Sequence, residues 1–177
     1  HLRQDAYWHD GEQVDADDFM YTLSWFEDPD CGATVSAARY KIDGTFCVYE
    51  KIDQFTVQVS ISRPSNYFTE KLGSTVLLPE HVFADVPAAD VLTVEGHIGC
   101  GPYYIDEFVP GEKVVLKRFE DYYRGLASIE TLEFRFITNT AAQEVAFRNG
   151  ELSIFRITNA ETLASFENDD NYNMYSF

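Results

Sequence analysis

Four histidines and three cysteines are the residues of this chain best equipped for chemistry. His97 and Cys100 stand three apart in His97-Ile98-Gly99-Cys100. That spacing could serve a thiolate nucleophile with its base, as in a cysteine-dependent hydrolase, or half of a metal site, whose other half is missing. His9 adjoins Asp10, but neighbouring residues point apart and the pair falls in a turn, which suits a structural role better than acid–base work. His81, on a short helix near Pro79, reads as a packing or surface residue. Asp15, Asp17 and Asp18 gather where a helix begins, so they read as caps that meet the positive end of the helix dipole. Cys31, Cys47 and Cys100 match no metal spacing. Cys31 and Cys47 could close a disulfide in an oxidising compartment and leave Cys100 free; three buried thiols are the alternative. Gly-x-Ser-x-Gly, His-Glu-x-x-His and phosphate-binding glycine loops are absent from the sequence. Gly99 and Gly101 bracket one residue before a strand, which excludes a dinucleotide fingerprint.

The aromatic residues are a second set, with large faces and polar ends that can line a ligand cleft. Most read as core residues. Tyr40 and the loop Gly99, Cys100, Gly101 and Tyr103 fall in irregular segments, and these five are the candidate ligand-binding residues.

The elements that position them follow from local pattern. Asp15 is the expected N-cap of a helix, with Asp18 in the capping-box position and Val14 and Phe19 as hydrophobic staple. Phe19, Met20, Leu23 and Phe26 make its apolar face, and Pro29 ends it. Residues 31–44 read as a small-residue loop or short helix. Residues 46–52 and 55–62 form a hairpin, with Phe55, Val57, Val59 and Ile61 on one side. Short helices are expected at 67–72 and 80–84. Gly99-Cys100-Gly101-Pro102 then opens a second hairpin, 103–108 and 113–118, around Val109-Pro110-Gly111-Glu112, a type II turn sequence. A strand at 131–137, a helix capped by Thr140 with Gln143 three residues on, a strand at 152–157, a helix at 161–166 and a strand at 172–177 complete the pattern. That alternation predicts right-handed crossovers and a mostly parallel sheet. The weakly patterned 87–96 is the expected boundary between residues 1–95 and 96–177.

The chain has 177 residues, enough for a core, and a net charge of -17. Such a charge argues against nucleic acid as partner. The acids are scattered and read as a solvated surface; a halophilic source or cationic cargo would each account for them. No apolar run is long enough to span a bilayer. Without an initiator Met and ending in a strand pattern, the chain reads as a piece of a longer protein.

Several motifs in order resemble the family 5 extracellular solute-binding proteins, the peptide and nickel receptors of ABC importers. Trp8-His9-Asp10-Gly11-Glu12 with Ala16-Asp17-Asp18, Leu78-Pro79-Glu80-His81-Val82, Gly99-x-Gly101-Pro102-Tyr103, Asp121-Tyr122-Tyr123-x-Gly125 and Phe147-Arg148-Asn149-Gly150-Glu151-Leu152 carry the resemblance, which covers nearly the whole chain. Cys100 replaces the usual Thr of the glycine loop. The resemblance implies an α/β fold with a mixed α+β first half: a periplasmic-binding-protein-like type II lobe fragment in which 1–95 is an accessory subdomain and 96–177 part of the first lobe. It implies a receptor rather than an enzyme, without cofactor or metal. Such a receptor captures a peptide or other small solute outside the cytoplasm and delivers it to permease subunits, with a lipid anchor in the full-length protein. A non-catalytic surface interaction module is the further alternative.

Overall fold

The computed structural model describes residues 1–91, 98–167, 169 and 171–175. They divide into two compact units, His1–Phe108 with Val114–Glu133, and Val109–Lys113 with Phe134–Phe177. The expected boundary at 95 and 96 lies outside the described residues.

The first unit is built on helix α1, Ala16–Glu27. Its start is the expected capping box: the Asp17 N–H donates to Asp15 Oδ1 at 2.8 Å and the Asp15 N–H to Asp18 Oδ2 at 3.0 Å. The staple takes another form, because Val14 packs with Ala6 and Trp8 while Phe19 joins a separate cluster. Asp28 ends the helix and caps a 3-10 turn at Pro29–Cys31. The weak segment that follows resolves into α2, Thr34–Ala37, a second 3-10 turn at Ala38–Tyr40, and a small hairpin of β1, Lys41–Ile42, and β2, Thr45–Phe46. Its turn residues Asp43 and Gly44 both have positive φ, 52° and 81°, and Arg63 grips the Asp43 carboxylate at 2.6 and 2.8 Å.

Strands β3, Val48–Asp53, and β4, Thr56–Ser60, form the expected antiparallel hairpin, with a register shift between Lys51 and Asp53. Alternation sorts its faces: Val57, Val59 and Ile61 pack on the core while Gln58, Ser60 and Ser62 face solvent. The hairpin is tied to the start of α1 by Ala16 N–H to Gln54 O at 2.8 Å and by the Lys51–Asp17 ion pair. Helices α3, Phe68–Gly73, and α4, Glu80–Phe83, follow. One face of α1 thus meets Tyr40, Cys47 and Phe68 through Phe19 and Leu23, and another meets Cys31, Phe83 and Val91 through Trp25. The three cysteines are free thiols in separate surroundings, so the disulfide expected as one option between Cys31 and Cys47 is not formed.

The second hairpin pairs β5, Tyr103–Val109, with β6, Lys113–Arg118. Gly111, at φ 76°, turns it, and the Glu112 N–H closes the turn on Val109 O at 3.0 Å. Strand β7, Thr131–Arg135, adds on the far side of β6. Arg118 bonds Glu130 and Phe136 bonds Glu112, so β6 and β7 run antiparallel. The described sheet is therefore an antiparallel meander and not the parallel sheet expected from strand–helix alternation. The physical reason is that the segments meant to supply the parallel strands have no ladder to join. Residues 152–157 form no strand and Ile154 is 87% exposed; 172–175 form none, and 176–177 lie outside the described residues.

In the second unit α5, Thr140–Arg148, is capped by Asn139, whose side chain accepts the Ala142 N–H at 3.0 Å. The expected cap, Thr140, is already helical, and the Gln143 amide donates to Ile137 O instead. Helix α6, Ala160–Phe166, is likewise capped by Asn159. Phe147, Phe155, Phe166 and Tyr172 stack between them with centroids 4.9–6.2 Å apart. Arg148 lies 4.1 Å over the Phe166 ring and is held there by Glu144 and Ser165.

Candidate functional site

Within the first unit, a knot of polar residues ties together segments far apart in sequence. Asp18, 4% exposed, accepts from Trp8 Nε1 at 2.9 Å, from the Asp15 N–H at 3.0 Å and from the Glu80 N–H at 2.9 Å. A buried carboxylate holding three N–H donors has its charge compensated where it sits. One turn along α1, the fully buried Thr22 donates to Asp18 O and accepts the Leu78 N–H. At the surface, His81 Nε2 meets Asp10 Oδ2 at 2.8 Å. Burial alone would raise the Asp10 carboxyl, but the His81 hydrogen bond and charge and the Glu12 N–H hold it below the usual range. The segments 8–18 and 78–81, sixty residues apart in sequence, are thus fastened together by Asp18, Thr22 and the Asp10–His81 pair.

His9 fastens the third segment. Its backbone N–H donates to Gly99 O at 2.8 Å, its Nδ1 accepts the Gly99 N–H at 3.2 Å and its Nε2 lies 3.0 Å from Gly101 O. Those partners assign a neutral imidazole with the proton on Nε2. The ring stands edge-on to Phe119 at 5.0 Å and tilted to Tyr104 at 6.0 Å. Glycine suits this approach, since a Cβ at position 99 would lie a tight 3.1 Å from His9 Cε1. Pro102 O accepts from the Phe119 N–H at 2.8 Å, so the loop is gripped at both ends.

Of the five candidate ligand-binding residues, the fold brings Gly99, Cys100, Gly101 and Tyr103 together and sets Tyr40 elsewhere. Cys100 packs against Ala6, Trp8 and Val14 alongside Tyr123. Tyr103 opens β5 and its hydroxyl donates to Ile129 O at 2.8 Å. Tyr40 is 2% exposed, between Phe26 and Phe46, and its hydroxyl meets Thr75 Oγ1 at 2.9 Å. Near the loop, Tyr104, Lys117, Arg118, Phe119, Glu120 and Glu130 help line an open cavity of about 330 Å³. Its cations are already engaged, Lys117 with Asp106 at 2.9 Å and Arg118 with Glu120 at 3.0 Å.

The surroundings of Cys100 oppose nucleophilic use. Burial pushes its thiol up, whereas an attacking cysteine needs the reverse. His97, its would-be base, lies outside the described residues. Among the described residues no three His, Cys, Asp or Glu side chains gather as a metal set, and no helix is long and apolar enough to cross a membrane.

Hydrogen bonds hold segments 8–18, 78–81 and 99–101 together, and the mixed α/β chain matches peptide-binding proteins of the periplasmic-binding-protein type II fold. The chain belongs to the bacterial extracellular solute-binding proteins, family 5, whose middle-region model matches residues 1–177. It is 25% identical over 174 residues to the oligopeptide-binding protein AppA of Bacillus subtilis, covering 94% of this chain and 31% of AppA. The crystal structure of AppA from Bacillus subtilis in complex with a nonapeptide matches with a TM-score of 0.80 at 25% identity, over 94% of this chain and 33% of that one. NikZ from Campylobacter jejuni, in complex with Ni(L-His), matches with a TM-score of 0.82 at 25% identity, over 96% and 33%. The chain therefore spans about a third of the length of the proteins it resembles.

Proposed function

We propose that the full-length protein is the substrate-binding component of an ABC importer, capturing peptides outside the cytoplasm and delivering them to membrane permease subunits. The observation that carries this reading is the likeness of 94% of the chain to an oligopeptide-binding protein solved with a nonapeptide. Residues 1–95 serve as an accessory subdomain and 96–177 as part of the first lobe, and the protein meets the membrane through an anchor or the permease. The ligand-facing part of this region is Gly99, Cys100, Gly101 and Tyr103; Tyr40 supports the core behind its own segment. A ligand held between lobes favours the closed state through its differential affinity for it, so binding and closure are one equilibrium.

The likeness to NikZ with Ni(L-His) supports a second reading, a metal chelate as cargo. Native mass spectrometry of the full-length protein, offered a mixed peptide pool and nickel–histidine in separate experiments, distinguishes them. Discrete added masses from the peptide pool are expected. Retention of nickel–histidine alone would move the assignment to chelates, and retention of neither would overturn both readings.

A further inference from the structure

We propose that His9 is the positioning residue of the Gly99–Tyr103 loop and makes the loop's set, and with it ligand affinity, sensitive to protonation. The proposal rests on the reading of that loop as ligand-facing.

His9 makes three hydrogen bonds to two loop residues, and two of them use opposite faces of imidazole chemistry. Nδ1 accepts from the Gly99 N–H while Nε2–H donates to Gly101 O. A neutral imidazole offers one acceptor and one donor, which is what the loop requires; an imidazolium offers two donors. Protonation at Nδ1 therefore sets N–H against N–H at Gly99 and leaves the Gly101 contact intact. Gly99 lies close against the ring, where even a Cβ would sit 3.1 Å from Cε1, so the loop has little slack along it. Phe119 and Tyr104 hold the ring from the sheet side. Among the described residues, the titratable neighbours are Tyr104 of β5, against the ring, Cys100 between the two glycines of the loop, and Asp10, next in sequence, whose carboxylate is engaged by His81. Among the described residues, the partner given to Nδ1 is the Gly99 N–H, so protonation there removes that bond.

The same geometry explains why His stands at this position in place of another aromatic residue. A Phe could fill the space against Phe119 and Tyr104 but would leave the Gly99 N–H and Gly101 O without these partners. A Gln carries one acceptor and one donor at all pH values, so it keeps the chemistry and removes the titration.

Two measurements on the full-length protein test this. The first is NMR of protein ¹⁵N-labelled at histidine and glycine, which reads the imidazole and the loop amides directly and needs no ligand. The expected spectrum at about pH 7.5 has His9 Nδ1 unprotonated and Nε2 protonated, with Gly99 and Gly101 amide signals moving at the same midpoint as the ring on acidification. The second is titration with a mixed peptide pool at about pH 7.5 and about pH 5. Wild type is expected to weaken about tenfold at the lower pH, as one hydrogen bond is lost, while His9→Gln keeps its affinity to within about twofold. His9→Phe is expected to bind weakly at both pH values. Protonation of Nδ1 at neutral pH, a ring that titrates without moving the glycine amides, or a His9→Gln protein with the wild-type pH profile would overturn the proposal. A protein that binds no peptide yet shows the coupled NMR titration would overturn the receptor reading and leave the His9 latch standing.

Discussion

Asp18 is the residue on which the first unit depends most. Its two oxygens accept from Trp8, from the Asp15 N–H at the N-cap of α1 and from the start of α4. Asp18→Ala would leave those buried donors unpaired, and a loss of about 3–5 kcal/mol is expected, read as a fall in the urea midpoint of the full-length protein. Asp18→Asn, retaining one acceptor oxygen, should fall between the two. A shift below about 1 kcal/mol for the alanine variant would mean that water replaces the carboxylate. The loop glycines make a sharper comparison. A Cβ at Gly99 meets His9 at 3.1 Å, whereas one at Gly101 meets nothing within 4 Å. Gly99→Ala should therefore cost about 1–3 kcal/mol and Gly101→Ala less than about 1. In a double-mutant cycle the Gly99→Ala cost should shrink when His9 is also replaced by Ala, since the clash is with that ring. Equal costs at the two glycines would show that backbone freedom, and not the imidazole, sets the requirement.

At the scale of elements, the end of α1 and the β3 hairpin share a feature that alkali should expose. Burial pushes the Cys47 thiol from 9.0 up to about 11. Burial, together with the hydrogen bond to Glu27, also raises the Tyr49 phenol. The folded state therefore holds protons that the unfolded chain releases earlier. The Cys47 contribution is complete below about pH 9 and is lost as pH rises through about 11, while the raised Tyr49 phenol begins to lose its contribution only above about pH 10. A midpoint that falls through that window in wild type, and falls less in Cys47→Ala, is the expected result. Unchanged slopes would place the alkaline transition elsewhere. Local rules served well where an element is defined by its own residues. The Asp15–Asp18 capping box, the alternation of Val57, Val59 and Ile61 and the Pro110-Gly111 turn all lie within a few positions of the groups they satisfy. The same rules missed the role of His9, whose partner is ninety positions away, and of Asp18 beyond its capping bond, since the Glu80 N–H lies sixty-two away. Neither residue type nor spacing encodes those contacts. The strand pattern at 152–157 failed for the converse reason: its composition fits a strand, but strand formation needs a neighbour, and the described residues provide none. Hydrogen exchange should find 152–157 unprotected in the 177-residue chain and protected in the full-length protein. Equal exposure in both would mean that the segment is a loop by nature.

For the whole molecule, the net charge of -17 sets the conditions under which any binding is read. Thirty carboxylates against thirteen Lys and Arg repel one another across the surface, and salt screens that repulsion over about 10 Å at 0.1 M. Sodium chloride should therefore raise the thermal midpoint most steeply at the lowest ionic strengths, and a midpoint indifferent to salt would show that paired surface charges have already removed the strain. The central claim concerns what the full-length protein captures and where its specificity lies. Its most direct test is calorimetric titration with a mixed peptide pool, in high salt, of the full-length protein and of this 177-residue chain side by side. Heat from the full protein with little from the chain alone is the predicted outcome, since a receptor that closes around its ligand needs both lobes. Heat from neither would contradict the peptide-receptor account.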